Sequence, residues 1–273
     1  MTDRIGCEGC KNADANAFDI PFTMAFQPIL DVHAGRIWGY ESLVRGKNGE
    51  GAGKVLAQVT EKNRYAFDQA CRVTAIELAG AKMPANSDAM LSINFMPNAV
   101  YEPKACIRAT LAAASKARFS LRRLMFEFTE NEQFADVDHV QHIIKEYKKM
   151  GFATAIDDFG AGFSGLGLLA RFQTDMIKID MELVRGIENS PSRQAIVSGI
   201  LAMSKLMKLK VLAEGVETED EMYALVDAGV TLLQGYYFAR PELETFVTED
   251  DIPALARAVT ALSETTAEHA AVA

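Results

Sequence analysis

Short β-rich runs alternate with longer stretches of helical periodicity along most of this chain, and that alternation constrains the fold more than any other feature. Strand, helix, strand in series is the pattern of a parallel sheet or barrel. Strands are expected near Met24–Asp31, Arg36–Leu43, Ala89–Asn94, Arg123–Glu127, Ala153–Asp157, Met176–Ile179, Lys210–Glu214 and Thr231–Gln234. Helices are expected over Leu56–Ala79, Cys106–Ala117, Val137–Met150, Ser192–Leu206 and Glu219–Asp227, with a brief one over Leu166–Phe172 and a terminal one over Ile252–Leu262. With 273 residues, 49% of them hydrophobic, the chain can bury one large core, which suits an α/β barrel of the (β/α)8 or TIM type better than two small domains. One link breaks the rule. Only a turn containing Asp31, His33 and Gly35 joins the first two strands, too short for a parallel crossover, so one antiparallel strand is expected near the N-terminus.

The barrel is expected to occupy residues 20–262, between a flexible tail at 1–19 and a small, polar, fraying tail at 263–273. Cys7 and Cys10 form a CxxC pair in the first tail, but no second Cys or His pair follows at zinc-finger spacing, so a reduced, flexible tail is the reading. Cys71 and Cys106 fall in helical patterns and read as small apolar residues. No apolar stretch is long enough to cross a bilayer and Met1–Asp19 lacks the pattern of an export signal, which makes the cytoplasm the expected location. The formal net charge of -9 argues against a sequence-independent grip on a nucleic acid polymer, which needs clustered Lys and Arg to displace counterions. A phosphate-bearing substrate must then be held by local chemistry.

The ends of the expected strands carry that chemistry. The second ends in Glu41, the third in Asn94, the fourth in Glu127, the fifth in Asp157 and Asp158, the sixth in Lys178 with Asp180, the seventh in Glu214 and the eighth in Gln234. One carboxylate after a strand is an ordinary turn residue or helix cap. In a barrel, however, all these ends converge on the face where active sites of the fold are built. Glu41, Glu127, Asp157, Asp158 and Glu214 would repel one another there unless cations or protons neutralise them. Oxygen ligands without His or Cys select Mg²⁺ or Mn²⁺ over zinc or copper. Two such cations sharing a carboxylate can activate a water against a phosphodiester, and consecutive Asp157 and Asp158 suit a bridging ligand beside a second-ion ligand. Lys178 is placed to orient the attacking water or to stabilise charge on phosphorus; its plainer role is a strand-end lysine paired with a carboxylate. The stretch Phe159-Gly160-Ala161-Gly162-Phe163-Ser164-Gly165 lacks the Lys-Ser or Lys-Thr of a phosphate-binding P-loop and reads as a lid or a compact connection.

These residues resemble the EAL domain of cyclic di-GMP phosphodiesterases. From about Phe26 to Pro241 the family motifs occur in order: Phe26-Gln27-Pro28-Ile29, Glu41-Ser42-Leu43-Val44-Arg45, Ser92-Ile93-Asn94, Phe126-Glu127-Phe128-Thr129-Glu130, Asp157-Asp158-Phe159-Gly160, Ile177-Lys178-Ile179-Asp180, Ala213-Glu214-Gly215-Val216-Glu217 and Gln234-Gly235-Tyr236. The resemblance implies metal ligation by Glu41, Asn94, Glu127, Asp157, Asp158 and Glu214, with two Mg²⁺ or Mn²⁺ ions per site and poor support or inhibition by Ca²⁺. It implies that Lys178 meets the nucleophilic water, that Glu130 holds the lid and that Glu217 supports the end of the seventh strand. It places Gln27, Leu43, Arg45, Asn94, Asp180, Glu217 and Gln234 against the dinucleotide, with Arg45 on a phosphate. The chain departs from the family at Ser42, which stands where Ala is usual, and over Lys47–Asn63, which lacks the usual Pro-x-x-Phe-Ile stretch. Its wording is similar to EAL domains that accompany BLUF photoreceptor modules, although no flavin module fits before Phe26 and a stand-alone relative is expected.

The function so implied is hydrolysis of cyclic di-GMP to linear pGpG by a homodimer. Two other readings stay open: a catalytically weak EAL protein that serves as a cyclic di-GMP receptor or protein-interaction module, and an enolase-like barrel with a lysine base and Mg²⁺.

Overall fold

The computed structural model describes residues 20–97, 100, 102–129, 137–162, 165–171 and 173–272. Eight strands close into a barrel: β1 (Phe22–Asp31), β2 (Arg36–Gly46), β3 (Met90–Asn94), β4 (Leu124–Thr129), β5 (Ala153–Phe159), β6 (Met176–Ile179), β7 (Lys210–Ala213) and β8 (Leu232–Leu233). From β2 to β8 each strand pairs in parallel with the next. β1 closes the ring antiparallel to both neighbours, with Gln27 opposite Glu41 of β2 and Leu30 opposite Leu233 of β8. A short β9 (Glu242–Leu243) pairs with Phe26 and Ala25 of β1. This is the α/β barrel with one antiparallel strand that the short first link requires. Gly35, at φ +64, makes that link, and Asp31 Oδ1 accepts the Ala34 N–H at 2.9 Å.

Side chains alternate across each strand, so one set faces the surrounding helices and the other faces the barrel axis. The outward set builds the large core: Phe126 meets Tyr147 and Phe152 at ring-centroid distances of 5.4 and 5.1 Å, and Leu91, Ile156, Ile177 and Leu233 are fully buried with them. The inward set begins with a small apolar plug of Ile29, Met125, Ala155, Met176, Leu212 and Leu232. Cys71 and Cys106 are buried free thiols.

Two helix boundaries differ from expectation. The stretch expected to be helical over Leu56–Ala79 is two helices, Ala52–Leu56 and Arg64–Lys82, because Asn63 Oδ1 accepts the Thr60 N–H at 2.6 Å and closes a turn between them. The terminal helix runs over Pro253–Val272, past Leu262. Cys7 and Cys10 lie outside the described residues.

Candidate active site

The plug fixes where the site lies. On a strand, the residue two positions on faces the same way, so a polar residue following each plug residue at that spacing forms the next inward layer. Met125 is followed by Glu127, Ala155 by Asp157, Met176 by Lys178, Leu212 by Glu214 and Leu232 by Gln234. On antiparallel β1 the same layer is reached by stepping backwards from Ile29 to Gln27, whose strand partner is Glu41. A ring of polar side chains drawn from almost every strand therefore stands directly on an apolar floor, at the C-terminal mouth of the parallel strands.

Lys178 sits at the centre of the ring and is fully buried. Its Nζ lies 2.6 Å from Glu214, 2.9 Å from Glu127, 3.0 Å from Asp157 and 3.6 Å from Glu41. Gln234 Nε2 donates to Glu41 at 2.7 Å and to Gln27 at 3.2 Å, while Gln27 donates to the Ala239 carbonyl at 3.0 Å. Ser92 donates to Glu127, and Ser42 donates to the Ser92 carbonyl at 2.8 Å. The serine in the signature tripeptide thus braces the neighbouring strand.

Asp158 joins the ring against the strand rule. Consecutive residues should face opposite ways, yet Asp158 takes the left-handed conformation, φ +54, and the β5–β6 register slips between Ile156 and Phe159. That local twist brings Asp157 and Asp158 into one cleft. Aspartate tolerates this conformation better than most side chains.

Two groups of carboxylate oxygens each gather within 4.8 Å: Glu41, Glu127 and Asp157 form one, and Asp157, Asp158 and Glu214 form the other. Asp157 belongs to both, as a bridging ligand would. Five carboxylates face one ammonium, so full ionisation leaves a deficit of four positive charges, the charge of two divalent cations. Without them Glu127, Asp158 and Glu214 hold their protons more tightly than ordinary carboxyls. Burial pushes Glu127 up to about 8 despite Lys178, and burial together with Asp157 pushes Asp158 up to about 6. Burial likewise raises Glu214. Burial also opposes ionisation of Asp157, but Lys178 outweighs it and holds that carboxyl below the usual range. Lys178 itself is held well above its ordinary value, its burial outweighed by the four carboxylates. The donor set is hard oxygen, which fits Mg²⁺ or Mn²⁺.

The cleft above the ring has a volume of about 290 Å³ and includes Asp180, Arg185, Glu217 and Tyr236 on its rim. Asn94 is not in it. Two positions beyond Ser92 on β3, Asn94 stands one layer higher, exposed, and opens on an adjoining apolar cavity of about 530 Å³ lined by Leu56, Phe67, Ile93 and Met96. Leu43 lines both cavities, for the same reason of spacing beyond Glu41. Asp180 caps the Met181–Val184 helix by accepting the Glu182 N–H at 2.8 Å. Arg45 donates to the Val44 carbonyl at 2.7 Å and does not line the cleft. Glu217 is exposed and pairs with Arg185 at 2.7 Å. Glu130, Phe163 and Ser164 lie outside the described residues. The sequence motifs assign no role to Ser92 or Arg185. Inward parity signals the first, two residues after Met90; nothing local signals the second.

A model of the EAL domain matches residues 18–241. The chain belongs to the EAL family. It is 51% identical to a standalone versatile EAL protein from Vibrio cholerae O395, solved bound to c-di-GMP, with a TM-score of 0.80 over 84% of this chain and 95% of that one. It is 35% identical to BlrP1 of Klebsiella pneumoniae in a manganese/c-di-GMP complex, with a TM-score of 0.78 over 84% of this chain and 57% of that one. It is also 33% identical, over 219 residues, to the blue light- and temperature-regulated antirepressor BluF of Escherichia coli K12, a match covering 80% of this chain and 54% of BluF. The chain thus spans about half the length of that curated relative. Among the described residues of this EAL protein, no helix is long and apolar enough to cross a membrane.

Proposed function

We propose that this EAL protein hydrolyses cyclic di-GMP to linear pGpG with two divalent cations. The observation that carries the reading is the pair of carboxylate groups sharing Asp157, with a charge deficit equal to two Mg²⁺ or Mn²⁺ ions. Complexes of the Vibrio and Klebsiella relatives with c-di-GMP, one containing manganese, support it.

Glu41, Glu127 and Asp157 would hold one cation, and Asp157, Asp158 and Glu214 the other; Asn94, the strand partner of Glu127, would join the first only by turning inward from the layer above. Bound there, the cations would supply Lewis acidity toward the phosphodiester and toward the attacking water. Lys178, held against Asp157 and Glu214, would orient that water and steady charge building on phosphorus. Gln234 and Gln27 hold Glu41 in its ligating position. One water is consumed and one phosphorus–oxygen bond is broken. The cleft and the apolar cavity meet at Leu43, so an extended dinucleotide has a polar subsite for the scissile phosphate and an apolar one for a base. Arg45, just beyond Leu43, would take the second phosphate by turning from the Val44 carbonyl.

Chromatography of cyclic di-GMP incubated with the protein should give pGpG in Mg²⁺ or Mn²⁺, little product in Ca²⁺, whose longer and looser coordination misplaces the water, and none with chelator. Glu41→Ala should abolish turnover and keep the fold; normal turnover by that variant would sink the assignment. BluF, an antirepressor, favours a second reading, a receptor that binds without turnover. Calorimetric binding with no product would decide for it. Homodimer formation belongs to the same proposal, and light scattering at several concentrations tests it.

A further inference from the structure

Arg185 is the one cationic side chain among the described residues that line the cleft, whose other charged groups are all carboxylates. Its guanidinium is mounted on a buried base. Nη1 lies 3.5 Å from Glu221 and Nη2 lies 2.7 Å from Glu217. Glu221 is 2% exposed and cannot swing, because it accepts the N–H groups of Gly186, Glu217 and Thr218 at 3.0, 2.8 and 3.2 Å. Those bonds tie the loop after β6 to the loop after β7, so the Arg185–Glu217 pair is placed jointly by both. The Arg185 side chain stays 34% exposed and that of Glu217 46%, and both line the cleft. Two ion pairs leave part of the five-donor fork free.

A donor fork beside an acceptor matches two adjoining edges of guanine. Guanine offers acceptors at O6 and N7 and donors at N1 and N2, whereas adenine sets an amino donor where guanine has O6 and an acceptor where guanine has N1–H. We propose that Arg185 and Glu217 together read a guanine of the substrate, Arg185 donating to O6 and N7 while Glu217 accepts from N1–H and N2–H. Adenine would point its amino group at the guanidinium and its N1 lone pair at the carboxylate. The pair is then a specificity determinant of the cleft, resting on the proposed function in that it presupposes cyclic di-GMP bound there.

Affinities for cyclic di-GMP and for its adenine counterpart cyclic di-AMP, by calorimetry in Ca²⁺, test this in the full chain, with initial rates in Mg²⁺ alongside. Arg185→Gln should weaken cyclic di-GMP roughly 10- to 100-fold, the worth of one bidentate base contact, and leave cyclic di-AMP near its wild-type weakness. KM should rise with kcat little changed. Arg185→Lys keeps the charge but loses the planar fork, and should not restore discrimination. If Arg185→Gln does not fold, the lysine variant alone decides. Equal weakening of both dinucleotides, rescue by lysine, a loss confined to kcat, or unchanged affinity would each overturn base reading. Wild-type protein that binds cyclic di-GMP without turnover removes only the hydrolase reading and leaves the affinity comparison decisive. Wild-type protein that binds neither dinucleotide removes both.

Discussion

Lys178 is fully buried, and it is the side chain that pairs directly with Glu41, Glu127, Asp157 and Glu214. Taking it away strands buried negative charge, which costs about 3–5 kcal/mol in comparable buried pairs. Lys178→Met should therefore lose stability of that order in denaturant unfolding without metal, and Mn²⁺ should restore much of it. A variant as stable as wild type in chelator would show that the ring is already neutral through its protons. Asp158 is the other residue on which the ring depends. Its left-handed backbone is strained for any side chain but easiest for Gly, Asn and Asp, so Asp158→Asn should keep the fold while removing one charge from the second cation group. We expect turnover to fall at least about a hundredfold, as for loss of a group that acts only in the transition state. Near-normal turnover would remove Asp158 from the ligand set.

Loops after β5, β6 and β7 meet around the ring, and glycine lets them do so. Gly215 sits at φ +71, and a Cβ there would come within 2.5 Å of the Met181 Cβ. Gly215→Ala should combine backbone strain of about 1–3 kcal/mol with a push on the Met181–Val184 helix. Because Glu214 and Glu217 flank this position, Mn²⁺ affinity should fall along with the melting temperature; loss of stability alone would separate the loop from the site. Gly199 supplies the control. It lies within the Pro191–Met207 helix with nothing within 4 Å of its would-be Cβ, so Gly199→Ala should stabilise by about 0.5–1 kcal/mol. The same scale explains the missed helix break. A continuous apolar period from Leu56 onward gave no hint that Asn63 would fold back onto Thr60.

Over the whole molecule, the acidic ring couples stability, metal and pH. Asp158 and Glu127 are raised in the folded protein to about 6 and about 8, so their protonated forms favour the fold. That contribution is complete below the carboxylate pKa values of the unfolded chain and is lost as pH rises through 6 and then 8. Asp157, lowered by Lys178, works the other way, contributing above its unfolded value and losing its contribution as pH falls through its depressed one. Cations compete with the protons on Asp158 and Glu127, so the rise in melting temperature on adding Mg²⁺ should be small at pH 5.5 and much larger at pH 8.5. An equal shift at both values would mean that these carboxyls do not hold the metal.

The amino-acid order alone determined that strands and helices alternate, that the first pair forms a hairpin, and that polar residues close the strands, because periodicity, turn length and parity are local properties of the chain. Tertiary structure decided the heights. Only closure of the barrel puts Ser92 in the ring and lifts Asn94 to the layer above, since depth depends on where each strand starts relative to its neighbours. Only the slip beside Asp158 turns two adjacent aspartates into one cleft, and only two loops fastened by Glu221 aim Arg185 at it. Those placements arise from contacts between segments far apart in the chain, which no window of sequence contains.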